Sequence, residues 1–227
     1  MAYSKLSPIK SSSTITAQQA FAAVQPMVPA GEWHDLRLWI DTVWTVGKQL
    51  GFDPVVILAQ AVLETDWFRS SWWKNRRNSG GIGITGDANQ DARSQTWRDG
   101  EHSAYGHLAH MTAYTDRATT RWYELGLTDI GTVDQRFMAP INAGYRAGKL
   151  DDLNRTWAID PQDRYGEKLA QRANAIVGAI NDPPVEVPST PEEPVEGEPM
   201  QNVYRWVPHP PFIDLPVSKQ RRRKKKN

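Results

Sequence analysis

The chain has no cysteine among its 227 residues. Disulfide frameworks and cysteine-ligated zinc are therefore excluded, and cysteine usage gives no sign of the redox compartment. It also lacks any apolar run approaching the roughly 20 residues needed to cross a bilayer. The first 13 residues hold lysines but no apolar centre, so an ordinary secretory signal is not expected. No internal repeat is present. Net charge is nearly absent too, at +1, but this balance conceals an asymmetry. Lys219 to Lys226 holds seven of the 27 basic residues, leaving 20 against 26 acids for the rest. The body is mildly acidic and the end is a basic tag.

Apolar residues make up 39% of the chain, a globular composition, and the length suits one main domain plus a tail. Residues 1–14 read as a disordered lead-in. A short helix is expected over Thr16 to Val28. A clear one is expected over Glu32 to Leu50, where Trp33, Leu36, Trp39, Ile40, Val43, Trp44 and Gly47 recur at helical spacing. Trp33, Trp39 and Trp44 on this face are assigned to the core. Gly51 stops that helix, and Asp53 caps the next, with Pro54 in its first position. Between 69 and 98 the helical period is lost. The glycines at 80, 81, 83 and 86, with Ile82 and Ile84 alternating, suggest a short hairpin or an irregular lobe. Helices are expected again over Glu101 to Tyr114, Arg117 to Leu125, Val133 to Arg146 and Arg164 to Ile180. The fold class is thus mostly α, a helical bundle with a small β-hairpin or irregular lobe, over about residues 15–181. Residues 182–200, with six prolines and five glutamates, read as an acidic, extended linker. Residues 201–227 form a short aromatic and proline patch followed by the polybasic tail.

The chemistry centres on Glu64. It closes the apolar helix Asp53-Pro-Val-Val-Ile-Leu-Ala-Gln-Ala-Val-Leu-Glu64 and is followed by Thr65-Asp66-Trp67-Phe68. Apolar neighbours, aromatic rings at i+3 and i+4, and the negative end of a helix all favour a protonated carboxyl, as a general acid requires. From the residues alone, an ordinary solvated helix-end glutamate is the stronger reading. His107 and His110 have metal-compatible spacing, but no further ligands are evident, so no metal or other cofactor is expected and the pair is read as part of a polar helix face.

Three motifs in order resemble the glucosaminidase domains of glycoside hydrolase family 73, in the lysozyme-like superfamily. They are Leu58-Ala-Gln-Ala-Val-Leu-Glu64-Thr-Asp-Trp67, then Asn78-Ser-Gly-Gly-Ile-Gly83, then Trp157-Ala-Ile-Asp-Pro161 with Tyr165-Gly-Glu-Lys-Leu169 following. The chain departs from that pattern at Asp66, where the family has glycine, and at Trp157, where it has tyrosine. The resemblance implies a lysozyme-like α+β fold and cleavage of β-1,4 bonds in the glycan strands of peptidoglycan, with Glu64 as general acid. Asp87 is the candidate second catalytic group, with Asp91 as a nearby substitute. The 2-acetamido group of the sugar or the muramyl 6-hydroxyl could also act as nucleophile. Trp67, Trp72, Gly80, Gly81, Ile82, Gln95, Tyr105, Trp157 and Tyr165 are the candidate substrate-binding residues. Aromatic rings would stack on sugars, and the glycines would let the backbone pass close to the glycan.

The missing signal and the compact single-domain design suggest a phage lysin or virion-associated wall enzyme, held in the host cytoplasm until release or carried by the particle, and a monomer, with a bacterial autolysin exported by another route as the alternative. The basic tail would attract polyanions such as wall polymers, a membrane surface or nucleic acid. Alternatives are a muramidase or lytic transglycosylase using the same acid, and a non-catalytic wall-binding or virion structural module. If the enzyme reading is right, a chain ending at residue 181 still releases fragments from purified peptidoglycan. Were catalysis to vanish with residues 219–227 alone, a function resting on the tail would take precedence.

Overall fold

The computed structural model describes residues 2–116, 119–158 and 160–181. The linker and tail expected over 182–227 lie outside the described residues. Among the described residues ten α-helices follow in chain order: α1 (Ala17–Val24), α2 (Trp33–Thr42), α3 (Pro54–Thr65), α4 (Ser71–Arg76), α5 (Ala88–Asp91), α6 (Gly100–Thr115), α7 (Thr120–Glu124), α8 (Ile130–Val133), α9 (Met138–Ala143) and α10 (Tyr165–Asn181). The fold is mostly α, as the periodicity predicts. Among the described residues there are isolated bridges but no strand ladder, so the glycine-rich stretch takes the irregular form of the two expected.

The central packing is α3 against α10 and α2 against α6, with α1 laid on α10. Helix α3 is buried nearly all round, from Pro54 to Val62, which is what an apolar helix without a polar face requires. Asp53 caps it, its Oδ1 accepting from the Val55 amide at 3.0 Å, and Pro54 follows at the first position as expected. Helix α2 does not run straight to residue 50. It passes into a π-helical turn at Val43–Gly47, against which Leu108 of α6 packs. The single helix expected over 133–146 is instead two short ones, α8 and α9. Asp134 leaves the helical region between them, with φ −140° and ψ 98°.

Residues 2–14 correct the expected disordered lead-in. Ile9 is fully buried, and Pro8 and Lys10 form bridges with Lys149 and Phe52. Tyr3 exchanges hydrogen bonds with Asn174 on α10, its amide donating at 2.7 Å and its carbonyl accepting at 2.9 Å. The hydroxyls of Tyr3 and Ser11 both donate to Asp53 Oδ2, at 3.0 and 2.7 Å. A low-propensity segment is held here by long-range side-chain bonds, which local composition does not register.

The end of α3 is the structure's most unusual backbone. Asp66, Trp67 and Phe68 are all left-handed, with φ of 47°, 56° and 59°. Each such non-glycine residue costs about 1–2 kcal/mol. Thr65 offsets part of this: its hydroxyl donates to Ala61 O at 2.5 Å and accepts from the Phe68 amide at 2.9 Å. Its carbonyl accepts from the Arg69 and Ser70 amides at 3.0 and 2.9 Å. Phe68 is thereby driven into the core, edge-on to Trp39 and Trp73. Asp66 stands where the related pattern has glycine because a left-handed residue is needed there, and aspartate tolerates that conformation better than most. The Arg69 guanidinium also holds its carboxylate, at 2.9 Å to both oxygens.

Thr65→Val is therefore expected to lower stability by about 2 kcal/mol and Tm by roughly 4–8 °C. Asp66→Gly, which removes strain and a surface ion pair together, is expected to change Tm by no more than about 2 °C. Calorimetry on both variants checks this, and equal losses would remove the hydroxyl from its pivotal place in the turn.

Candidate active site

Glu64 lies in the last turn of α3 and is partly exposed. Tyr165, the first residue of α10, donates its hydroxyl hydrogen to Glu64 Oε1. Burial raises the carboxyl to about pKa 7, and this outweighs the opposing hydrogen bonds from Tyr165 and Trp157. Near neutral pH the group is thus divided between acid and carboxylate, the condition that suits proton transfer to a leaving oxygen.

Gln60 stands one turn before Glu64 on the same face of α3. Its amide nitrogen lies 3.3 Å from the Tyr165 hydroxyl, and its Oε1 lies 3.0 Å from His107 Nε2. Both Gln60 and His107 are fully enclosed. Burial drives His107 down to about pKa 3, so it is neutral. Gln60 has no assigned role in the sequence motifs that mark the site, although one polar residue within the apolar run from Pro54 to Leu63 is a readable signal of a buried partner. The expectation that His107 and His110 line a polar helix face is corrected. His110 is also buried, with its Nδ1 2.7 Å from Asp134 Oδ2, because α6 is covered by both α2 and α8.

The other candidates divide sharply. Trp157 is fully buried, stacked on His107 with centroids 5.6 Å apart and met edge-on by His110 at 5.1 Å. It offers no face to a sugar in this structure. Its part is beside the carboxyl, where its indole N–H opposes the upward shift of Glu64. Tyr165 is buried as well and meets Glu64 through its hydroxyl rather than meeting a glycan through its ring.

Gly80, Gly81 and Ile82 are buried too, and the two glycines do not line an open passage. A Cβ on Gly80 would lie 3.2 Å from the Trp157 ring, so the close approach made there is to the core. Gly81 supplies a left-handed turn with φ 61°, closed by Asn78, whose side chain bonds the Ile82 amide and carbonyl, both at 2.9 Å. Gln95 is a staple, donating to the carbonyls of Thr132 and Val133 and accepting from the Gln135 amide. Of the aromatic candidates, Trp67, Trp72 and Tyr105 keep part of their rings exposed. Arg172 lies over Trp67 and Arg76 over Trp72, while Tyr105 leans edge-on to Trp122.

Asp87 caps α5, its Oδ1 accepting from the Asn89 and Gln90 amides at 2.9 and 3.1 Å. Asp91 folds the glycine turn, accepting from the Thr85 amide and hydroxyl and the Gly86 amide. Both carboxylates hold the lobe together. No group of three or more metal-ligating side chains occurs among the described residues.

A comparison with known families decides the wider assignment. The family model for glucosaminidase, described as mannosyl-glycoprotein endo-beta-N-acetylglucosaminidase, matches residues 40–177, more than half of the chain. The chain belongs to the glucosaminidase family. No curated protein and no solved structure matches it. As a glucosaminidase it is a glycoside hydrolase, with the cell-wall glycan peptidoglycan as its class of substrate. The matched region spans Glu64, the glycine turn, Trp157 and Tyr165, and ends within α10.

The elevated Glu64 has a consequence for the stability of this glucosaminidase. Between the ordinary carboxyl value of 4.5 and about 7 the folded state binds more protons than the unfolded one, so this group's contribution falls as pH rises. Glu64→Gln removes the penalty of ionising a buried carboxyl. It is expected to be more stable than the wild type at pH 8 by on the order of 2 kcal/mol, with the difference shrinking below pH 5. Urea denaturation at the two pH values reads this directly, and a pH-independent difference would contradict the raised value.

Proposed function

We propose that the protein is an endo-β-N-acetylglucosaminidase of peptidoglycan in which Glu64 protonates the leaving oxygen of the β-1,4 bond. The observation carrying this reading is a carboxyl at a helix end that burial holds near pKa 7 with a tyrosine hydroxyl on one oxygen. A wall-binding module has no need of such a group, since an ionisable carboxyl in this setting costs stability and gives no affinity for a neutral sugar.

The partner of Glu64 in the reaction is assigned to the substrate. Asp87 and Asp91 are both engaged by backbone amides of the lobe. That favours the sugar's own 2-acetamido oxygen as the nucleophile. Its carbonyl oxygen attacks C1, the C1–O4 bond breaks, and the departing O4 takes the Glu64 proton. Glu64, now a carboxylate, accepts a proton from the water that adds to C1 and opens the cyclic intermediate. Acid and base are then one residue acting in two steps. Trp67, Trp72 and Tyr105, with partly exposed rings, are the aromatic surfaces left to meet sugars. The place of action is the cell wall, reached from the host cytoplasm on release or by carriage on a virion.

Digestion of purified peptidoglycan, followed by borohydride reduction and mass spectrometry, tests the assignment. Wild type is expected to yield reduced glucosamine ends, and Glu64→Gln to lose about 10²–10⁴ in rate. Reduced muramic ends would make it a muramidase and anhydro ends a lytic transglycosylase, while undiminished cleavage by Glu64→Gln would remove the acid from that residue. For the substrate-assisted step, a thiazoline analogue of the cyclic intermediate is expected to bind at least about 10²-fold more tightly than N-acetylglucosamine.

A further inference from the structure

Behind Glu64 the core holds a row of polar side chains that packing alone does not require. Gln60, Ser79 and His107 are each no more than 1% exposed, and burying such groups is costly unless each is bonded. The sense of their hydrogen bonds can be followed from Trp39, whose indole can only donate. The Trp39 indole and the Ser103 hydroxyl both donate to Ser79 Oγ, each at 3.0 Å. Ser79 passes its own hydrogen to His107 Nδ1, 3.1 Å away. A neutral imidazole that accepts at Nδ1 carries its hydrogen on Nε2, which faces Gln60 Oε1 at 3.0 Å. Gln60 accordingly turns its amide nitrogen to the Tyr165 hydroxyl at 3.3 Å. Having accepted there, Tyr165 directs its hydrogen to Glu64 Oε1.

We propose that Ser79, His107 and Gln60 are positioning residues, whose one-way chain of hydrogen bonds keeps Tyr165 a donor to Glu64 Oε1 and so confines the catalytic proton to Oε2. This rests on Glu64 being the acid. Were the chain to run the other way, Tyr165 would accept from Glu64, and the proton would be held in the core instead of being available to the leaving oxygen.

The surroundings leave the chain's sense undisturbed. His107 on α6 stays neutral, and Tyr114 on the same helix, which feels the charge of Glu64, is held well above its ordinary value and stays protonated. Trp157, on the segment before α10, lowers the Glu64 pKa and cannot accept a hydrogen bond through its indole nitrogen. His110, paired with Asp134, meets Trp157 edge-on.

The test combines a carboxyl carbon NMR titration of Glu64, which needs no turnover, with the pH dependence of kcat and KM on peptidoglycan fragments. Gln60→Met deletes the donor to Tyr165 and makes Tyr165 a poorer donor to the carboxylate. It is expected to raise the Glu64 titration and the basic limb of activity by about half to one pH unit, with kcat down about tenfold and KM within about twofold. Ser79→Ala, a smaller change at the far end, frees His107 to adopt the other tautomer and is expected to move the titration in the same direction. It carries the test if Gln60→Met does not fold. In a Tyr165→Phe background, Gln60→Met is expected to add no further shift, since its influence passes through that hydroxyl. An unchanged Glu64 titration in the folded variants, or an equal shift in the Tyr165→Phe background, overturns the proposal. Cleavage retained by Glu64→Gln would instead overturn the assignment of the acid, and the NMR titration keeps the two failures apart.

Discussion

A carboxyl that burial raises to about pKa 7 can stand neither in open water nor wholly sealed in the core. In this protein the compromise is the meeting of two helix ends, the last turn of α3 and the first residue of α10, at the bond between Glu64 and Tyr165. Much of the rest of the fold serves that junction. The left-handed residues 66–68 stop α3 abruptly after Glu64 and turn Phe68 into the core. The packing of α3 on α10 sets the spacing of the two side chains. Burial pushes the carboxyl up and two donors restrain it, leaving it near pKa 7.

The aromatic and histidine residues around this junction act mainly as walls. Trp157 fills the space between His107, His110 and Tyr114, with ring centroids 5.0–5.6 Å apart. A closed shell of this kind lowers the local dielectric and makes each hydrogen bond within it electrostatically stronger. It also explains how tryptophan can stand at a position where related sequences carry tyrosine. An indole fills the volume and still supplies one donor near Glu64.

Much of this was legible in the sequence. The helical period foretold α2, α6 and α10, and the Asp53-Pro54 start of α3 follows from capping chemistry. Glu64 stood out because an apolar helix rarely closes on an acid followed by two aromatic residues. Local pattern could not reveal what arises between distant segments. The anchoring of residues 2–14 depends on Asp53 and Asn174, and the burial of Trp157 and Tyr165 depends on α6 and α3. Asp87 shows the opposite limit. A carboxylate after glycine reads equally as base or cap, and only the Asn89 and Gln90 amides tell which. Gln60 is the subtler clue, a single amide in an apolar run.

The clasp between Tyr3 and Asn174 joins residues 171 positions apart, and it lies on the helix that begins with the Glu64 partner. The domain is thus a closed circuit, whose first residues and acid both await its final helix. On the ribosome Glu64 emerges about a hundred residues before Tyr165, so a nascent chain carries the carboxyl without the environment that raises and restrains it. Domains generally fold as units, and this one lacks the packing partner of α3 until α10 has been made. The raised pKa of Glu64 is therefore a property of the completed domain and of no shorter stretch of it.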